Sequence, residues 1–187
     1  MTSITFKENV IINEKISAVV GCFTFVILMT IGAYVRLPLL FTPVPITLQT
    51  FFVLLSGAML GKKLGALSQA AYVLLGALGL PIFQGYGYGM AHVFGPTGGY
   101  LLGFIPASYI VGRLLRNDDP EQWLFGVFFA MITGLAVIYL FGVAWVKLFL
   151  GTSFSASLIL GLYPFIPGEV LKVAAASYMY KGLRNRI

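Results

Sequence analysis

Ser17-Ala-Val-Val-Gly-Cys-Phe-Thr-Phe-Val-Ile-Leu-Met-Thr-Ile-Gly-Ala-Tyr34 contains no charged side chain and stops just before Arg36-Leu37-Pro38. Wound as a helix at about 1.5 Å per residue, the run is about 27 Å long, close to the roughly 30 Å hydrocarbon core of a bilayer. Comparable apolar runs recur along the rest of the 187 residues, of which 59% are hydrophobic and only 10% charged. Mean hydropathy is +0.93. A soluble domain carries about a quarter charged residues, so this chain lacks the side chains to cover a water-facing surface. Composition therefore excludes a soluble enzyme, a disordered regulator and a disulfide-stapled secreted module. Length and continuity point to a single membrane-embedded domain, 1–187.

Working outward from the first run, the sequence predicts an all-α polytopic membrane protein with six transmembrane helices. The second span covers about Ile46 to Leu60, opened by Pro43 and Pro45, which suit a first helical turn but cannot continue a preceding helix. The third, about Leu64 to Leu80, stops at Gly79 and Pro81. The fourth, about Gly99 to Leu115, ends at the water-loving linker Arg116-Asn-Asp-Asp-Pro-Glu121. The fifth runs from about Trp123 to Leu150. The sixth, about Phe165 to Tyr180, follows a serine-rich segment and the Pro164/Pro167 pair. Two spans are short, so loops packed against protein must finish their ends. The first run follows a mixed-charge stretch (Lys7, Glu8, Glu14, Lys15) and is read as a permanent helix rather than a cleavable signal.

The net charge of +6 is scattered between the apolar runs and forms no stripe, which argues against nucleic acid and for an orientation signal. Lys7, Lys15, Lys62, Lys63, Arg113, Arg116, Lys181, Arg184 and Arg186 share one side, nine against Arg36 and Lys147 on the other. Excess Lys and Arg mark the cytoplasmic face, so both termini are expected in the cytoplasm and the chain in the cell membrane. Connections 1–2, 3–4 and 5–6 then face outward. They hold the unusual sequence: Arg36-Leu-Pro-Leu-Leu-Phe-Thr-Pro-Val-Pro45, Gln84-Gly-Tyr-Gly-Tyr-Gly89, Gly95-Pro-Thr-Gly-Gly99 and Tyr163-Pro-Phe-Ile-Pro-Gly168. Apolar loops this rich in Pro and Gly read as lids folded over a pocket, since functional residues concentrate on such loops.

Glu169 and Lys172 are ionisable residues well inside a span and lie on one helix face, three residues apart. A charge at that depth is costly unless paired and marks a functional candidate. The pair either holds the last helix in register or forms a polar clamp for a ligand carrying both N–H and C=O groups. Thr47 and Gln49 open the second span at the outer end, and Gln49 serves either as interhelical glue or as a ligand contact. Tyr86, Tyr88 and Tyr100 belong either to an interfacial aromatic belt or to the pocket. Ser17/Gly21 and Ala18/Cys22 form small-xxx-small pairs, as do Gly57/Gly61 and Gly61/Gly65; each suits internal packing or a partner interface equally.

No Gly-x-x-x-x-Gly-Lys-Ser/Thr motif occurs, so the chain is not itself an ATPase. One cysteine, Cys22, and one histidine, His92, leave no intrachain disulfide and no His-based metal site. No catalytic constellation can be assembled; an intramembrane enzyme would have to work with Glu169, Lys172 and His92. A membrane scaffold whose loops recognise protein is the other competing class.

Phe41-Thr-Pro-Val-Pro-Ile-Thr-Leu-Gln-Thr50, Leu54-Leu-Ser-Gly-Ala-Met-Leu-Gly61, Gly95-Pro-Thr-Gly-Gly-Tyr100 and Phe165-Ile-Pro-Gly-Glu-Val-Leu-Lys172 resemble the BioY family of biotin transporters, the substrate-binding S components of energy-coupling factor transporters. The resemblance implies a six-helix S-component fold that binds biotin from outside. It also implies a transmembrane coupling subunit and a pair of cytoplasmic ATPases as partners, or function without a dedicated module, as in a homo-oligomer. The chain itself would carry no cofactor, with ATP used only on partner subunits. Glu169 and Lys172 match the acid and lysine that contact the ligand's head group in the family, where the acid is usually aspartate. Gln49 and Tyr100 fall within matching motifs, while the loop carrying Tyr86 and Tyr88 departs from the family's form. Ser17, Ala18, Gly21 and Cys22 resemble the small-residue surface that meets the coupling subunit. An S component for another small vitamin is the alternative.

Overall fold

A computed structural model describes residues 2–115 and 124–184, with side chains from residue 15 onward. The linker 116–121, Trp123 and Arg186 lie outside the described residues, as do the side chains of Lys7, Glu8 and Glu14. The elements are α1 (Thr2–Tyr34), β1 (Arg36–Leu37), β2 (Ile46–Thr47), α2 (Gln49–Ala77), α3 (Gly89–Val93), α4 (Gly98–Leu114), α5 (Leu124–Leu150), α6 (Phe154–Gly161) and α7 (Ile166–Arg184). Short 3-10 turns at Gln84–Tyr86 and Tyr163–Phe165 complete the chain. Lys15–Tyr34, Gln49–Ala77, Leu124–Leu150 and Phe154–Arg184 are each long and apolar enough to cross a membrane.

Length misleads for α2. Its Gly61 is not helical, with φ 75° and ψ 175°, a conformation open to glycine and strained for other residues. The two arms fold back on each other there. Gln49 Nε2 donates to the Tyr72 hydroxyl at 3.0 Å, Gln69 Nε2 to Ser56 Oγ at 2.9 Å, and Gly65 lies against Gly57. These pairings run in opposite directions about Gly61, so α2 is an antiparallel helical hairpin and supplies the second and third predicted spans. The arms 49–60 and 62–77 are about 18 and 24 Å long, and both need loops to complete the crossing.

The hairpin is the centre of the bundle, and α4 lies in close contact with it. A side chain at Gly57 would strike the Ser108 carbonyl, and one at Gly112 would strike the backbone of Gly61 and Lys62. Ser56 and Ser108 share a hydroxyl hydrogen bond of 2.9 Å. The glycines at 57, 61 and 65 therefore serve internal packing, the close approach that small residues permit in lipid. One apolar cluster, including Met29, Val53, Tyr72, Phe83, Phe104 and Ile138, fills the half of the bundle nearest the Pro- and Gly-rich loops. A second, with Phe25, Leu55, Val111, Met131 and Ala176, fills the other half. Polarity is otherwise inverted: Ser56, Ser68, Gln69, Ser108 and Glu169 are buried, while Val20, Phe23, Ile27, Phe125, Leu140 and Leu148 face outward, the distribution a lipid solvent selects.

One local expectation needs correction. Ile46 and Thr47 do not open a helix; they pair with Leu37 and Arg36 in a two-rung antiparallel ladder, and α2 starts at Gln49. The prolines at 43 and 45 favour extended backbone at Thr42 and Val44, in the connection that leads into the ladder. The serine-rich segment before the last span forms α6, which Ser153 caps, accepting from Ala156 N at 3.2 Å as an N-cap serine does.

Gly57→Val should lower the thermal midpoint in detergent by several degrees, an overpacking cost of about 1–3 kcal/mol or more. Gly126→Ala, which meets nothing within 4 Å, should leave it unchanged. Equal midpoints for the two would disprove the hairpin–α4 contact.

Candidate functional site

Pro167 and Gly168 bring the chain out of the Tyr163–Phe165 turn into the first turn of α7, where Glu169 sits. The helix N-terminus favours an anion at that position. Glu169 is 4% exposed. Its Oε1 accepts from Lys172 Nζ at 2.6 Å, from Thr50 Oγ1 at 3.1 Å and from the Tyr139 hydroxyl at 3.2 Å. Lys172 spends its remaining two protons on the Thr47 carbonyl at 2.7 Å and on Thr50 Oγ1 at 3.1 Å. An ammonium has three donors, and all three are engaged. Three elements, α2, α5 and α7, thus converge on one carboxylate oxygen, and β2 joins them through Lys172.

The other oxygen is different. Glu169 Oε2 is buried and has no hydrogen-bond partner. A buried orphan acceptor costs about 1–3 kcal/mol, more for a charged group, and such atoms are where ligands or ordered water bind. Glu169 lines a cavity of about 40 Å³ together with Thr47, Gln49, Thr50, Tyr100 and Tyr139. His92 Nε2, also buried and without a partner, belongs to a residue lining the same cavity. Gln49 Oε1 accepts from Thr47 Oγ1 at 3.2 Å; its Nε2 donates to Tyr72 and keeps a second proton. Tyr72 in turn donates to the Ile82 carbonyl at 2.8 Å, so the amide is held by a chain of bonds reaching the 3–4 loop.

A wider cavity of about 340 Å³ lies beyond, among Arg36, Pro38, Thr42 and Pro96. Pro45, Gln84, His92 and Thr97 line both spaces. The loops that form this wall are tied together: Thr42 Oγ1 donates to the Leu160 carbonyl at 2.8 Å, Trp145 Nε1 to the Gly95 carbonyl at 2.9 Å, and Gln84 Nε2 to Thr97 Oγ1 at 3.0 Å. They are lids in the geometric sense, folded onto the bundle rather than away from it. On the far side of Glu169 and Tyr139, a cleft of about 470 Å³ opens between α5 and α6–α7. Its wall is aliphatic and aromatic apart from that carboxylate and phenol, so it offers little to recognise a polar head group.

Of the residues singled out from sequence, Thr47, Gln49, Tyr100 and Glu169 line the inner cavity. Lys172 does not; it stands behind Glu169. Tyr100 spends its hydroxyl on the Gly161 carbonyl at 2.6 Å and offers the cavity its ring. Tyr86 and Tyr88 are 68% and 62% exposed and line neither cavity; Tyr86 instead packs its ring against Tyr34 at 4.6 Å. On α1, Ser17 is exposed and Ala18 half-buried, whereas Gly21 faces Leu60 and Cys22 Sγ contacts the Leu64 carbonyl. Sequence reasoning missed Thr50, Tyr139, Gln84, Thr97 and Arg36 as site residues. Tyr139 carried a usable signal, a lone phenol mid-span where an interfacial belt cannot reach. Among the described residues no group of His, Cys, Asp or Glu could hold a metal ion.

The BioY family model matches residues 6–187. The chain is 44% identical over 161 residues to a probable biotin transporter BioY of Pyrococcus horikoshii, covering 86% of this chain and 92% of the relative. It is 40% identical over 161 residues to the biotin transporter BioY of Thermotoga maritima, again covering 86% and 92%. Its fold is similar to a crystal structure of the S-component for biotin from an ECF-type ABC transporter, with a TM-score of 0.86 and 28% identity over 92% of this chain and 93% of that one.

Removing the Tyr139 hydroxyl tests the convergence on Glu169. Tyr139→Phe should cost about 1.5–3 kcal/mol of stability in the wild-type background, as loss of a bond to a charged group does, and under about 1 kcal/mol in a Glu169→Gln background. Thermal unfolding of the four proteins in detergent measures both. Equal losses would mean that the phenol does not serve the carboxylate.

Proposed function

The chain belongs to the BioY family, and from that premise and the geometry around Glu169 we propose that it is a membrane-embedded S component that binds biotin and mediates its uptake. The observation that carries this reading is the free Glu169 Oε2, a buried acceptor on a residue that lines a polar cavity, while its twin oxygen is saturated by three donors. Biotin's ureido ring offers two N–H donors and a carbonyl. Glu169 Oε2 accepts one N–H, and the uncommitted Gln49 Nε2 proton is placed to answer the carbonyl. Lys172 acts through Glu169: it neutralises the carboxylate and fixes which oxygen is free. Without that cation the bare carboxylate would repel an anionic ligand in a medium where charges interact far more strongly than in water. The fused rings would lie on the faces of Tyr100, Tyr139 and Phe165, and the carboxylate tail would run outward toward the cavity that Arg36 borders.

Entry requires motion. About 40 Å³ holds a few waters and not a bicyclic ring, so the wall shared by Pro45, Gln84, His92 and Thr97 opens to admit the ligand. The charge count, nine Lys and Arg against two, supports a cell-membrane location with both termini cytoplasmic. In that orientation the 36–47 hairpin and the 3–4 loop face outside. The structural likeness to an ECF-type S-component supports a transmembrane coupling subunit and an ATPase pair as partners. On α1, Ser17 is exposed and Ala18 half-buried, which leaves both accessible to such a subunit.

Purified protein in detergent should gain several degrees of thermal stability with biotin, as binding to the native state alone requires, and none with thiamine or riboflavin. Lys172→Met should lose the biotin shift while remaining folded. A shift with another vitamin and not biotin would reassign the ligand, and no shift with any of them would favour a scaffold.

A further inference from the structure

We propose that His92 is a ligand-binding residue: at the throat between the two cavities, its imidazole donates Nε2–H to the carboxylate tail of the bound molecule. The inference rests on the reading of the site as an outward-opening pocket for biotin, and it concerns a residue with no role in holding the head group.

Position is the first support. His92 lines both the inner cavity containing Glu169 and the outer one bordered by Arg36, so a ligand whose head reaches Glu169 and whose tail points outward passes it. Need is the second. The side-chain oxygens and nitrogens buried without a partner are Gln69 Oε1, Glu169 Oε2 and His92 Nε2 among the described residues. Two of these three belong to residues of one cavity wall, an acceptor at its floor and an imidazole nitrogen at its throat. A ligand with an N–H at one end and an oxyanion at the other satisfies both.

Rigidity is the third. The His92 ring is stacked on Phe83, 4.9 Å between centroids and 19° between planes. Phe83 is fully buried and is held edge-on by Tyr72. A Cβ on Gly87 would collide with the imidazole, so glycine there is what lets the ring lie flat over the loop backbone. A side chain held this way loses little freedom when it binds, which is how preorganised contacts gain affinity. Burial pushes the His92 pKa below its usual value, so the imidazole is neutral near pH 7. A neutral imidazole has one donor and one acceptor nitrogen, and an anion at the throat selects the Nε2–H form. Arg36, exposed at the rim of the outer cavity, supplies the positive potential there.

The test measures equilibrium binding of biotin and of biotin methyl ester, whose tail carries no charge, to purified wild-type, His92→Phe and His92→Gln proteins at one pH. Phenylalanine keeps the stack on Phe83 and removes the donor; glutamine replaces the donor. His92→Phe should weaken biotin by about tenfold or more, the factor expected for losing a bond to a charged group, and should weaken the ester much less. His92→Gln should recover most of the biotin affinity. Wild-type affinity for biotin in His92→Phe, or equal losses for biotin and ester, would overturn the assignment while leaving the biotin reading intact. Failure of the wild-type protein to bind biotin at all would overturn both.

Discussion

Everything at the head of this bundle is arranged around a carboxylate that has been taken out of water. Isolated burial of such a group costs far more than a domain's net stability, so Glu169 must be matched by charge and by hydrogen bonds. The matching is one-sided. Lys172, Thr50 and Tyr139 all serve Oε1, and Lys172 also grips the Thr47 carbonyl. That last bond ties α7 to the strand pair, which needs Thr47 in extended backbone opposite Arg36. The prolines on either side of Val44 favour extended backbone at Thr42 and Val44, in the connection that leads into that strand. The conformation of the 36–47 loop is therefore coupled to the ion pair, and through Thr42 to α6 as well.

Most of the site was legible because charge in hydrocarbon has few explanations. Glu169 and Lys172 could be read as a pair from spacing alone, and the Pro- and Gly-rich loops could be placed at their end of the bundle. Spacing could not say which partner lines the cavity. That depends on where the third Lys172 proton goes, and a backbone carbonyl 125 residues away in sequence takes it. Tyr86 and Tyr88 line neither cavity, for a related reason. Glycines do allow close backbone approach, but here Gly85 makes room for the Arg36 guanidinium and Gly87 for the His92 ring, leaving both tyrosines outside. The fold shows the same division. Apolar runs and the Lys62-Lys63 break gave the spans, the second and third included, while the tightness of the reversal between those two, made at one glycine with positive φ, is not a feature that hydropathy reports.

On the proposed reading, the two cavities divide recognition into parts with different physics. At the inner one, buried donors and acceptors with fixed partners discriminate sharply, since a ligand lacking the matching group leaves them unpaired. At the outer one, an exposed guanidinium acts over distance and through solvent, aiding capture more than selection. The boundary between them is made by the connection between α2 and α4, with Gln84 in a 3-10 turn, His92 in the short α3 and Thr97 just before α4, rather than by the long helices. Loops lie at the low-stability end of a structure, where local opening is cheapest. Placing the boundary there lets the pocket open without disturbing the hairpin–α4 contact on which the bundle rests.

Stability alone does not account for the pair. Replacing a buried ion pair by well-packed apolar side chains is often neutral or stabilising by about 1–4 kcal/mol, and the neighbouring cleft between α5 and α6–α7 shows that aliphatic and aromatic packing is available within reach. An interior that needed only to cohere would use it. A structural pair would also be expected to distribute its hydrogen bonds over both carboxylate oxygens, which would remove the orphan at Oε2 without adding a residue. Concentrating three donors on Oε1 does the opposite. It neutralises the carboxylate and withholds one acceptor from the protein, which leaves Oε2 to be satisfied by a donor from outside the chain.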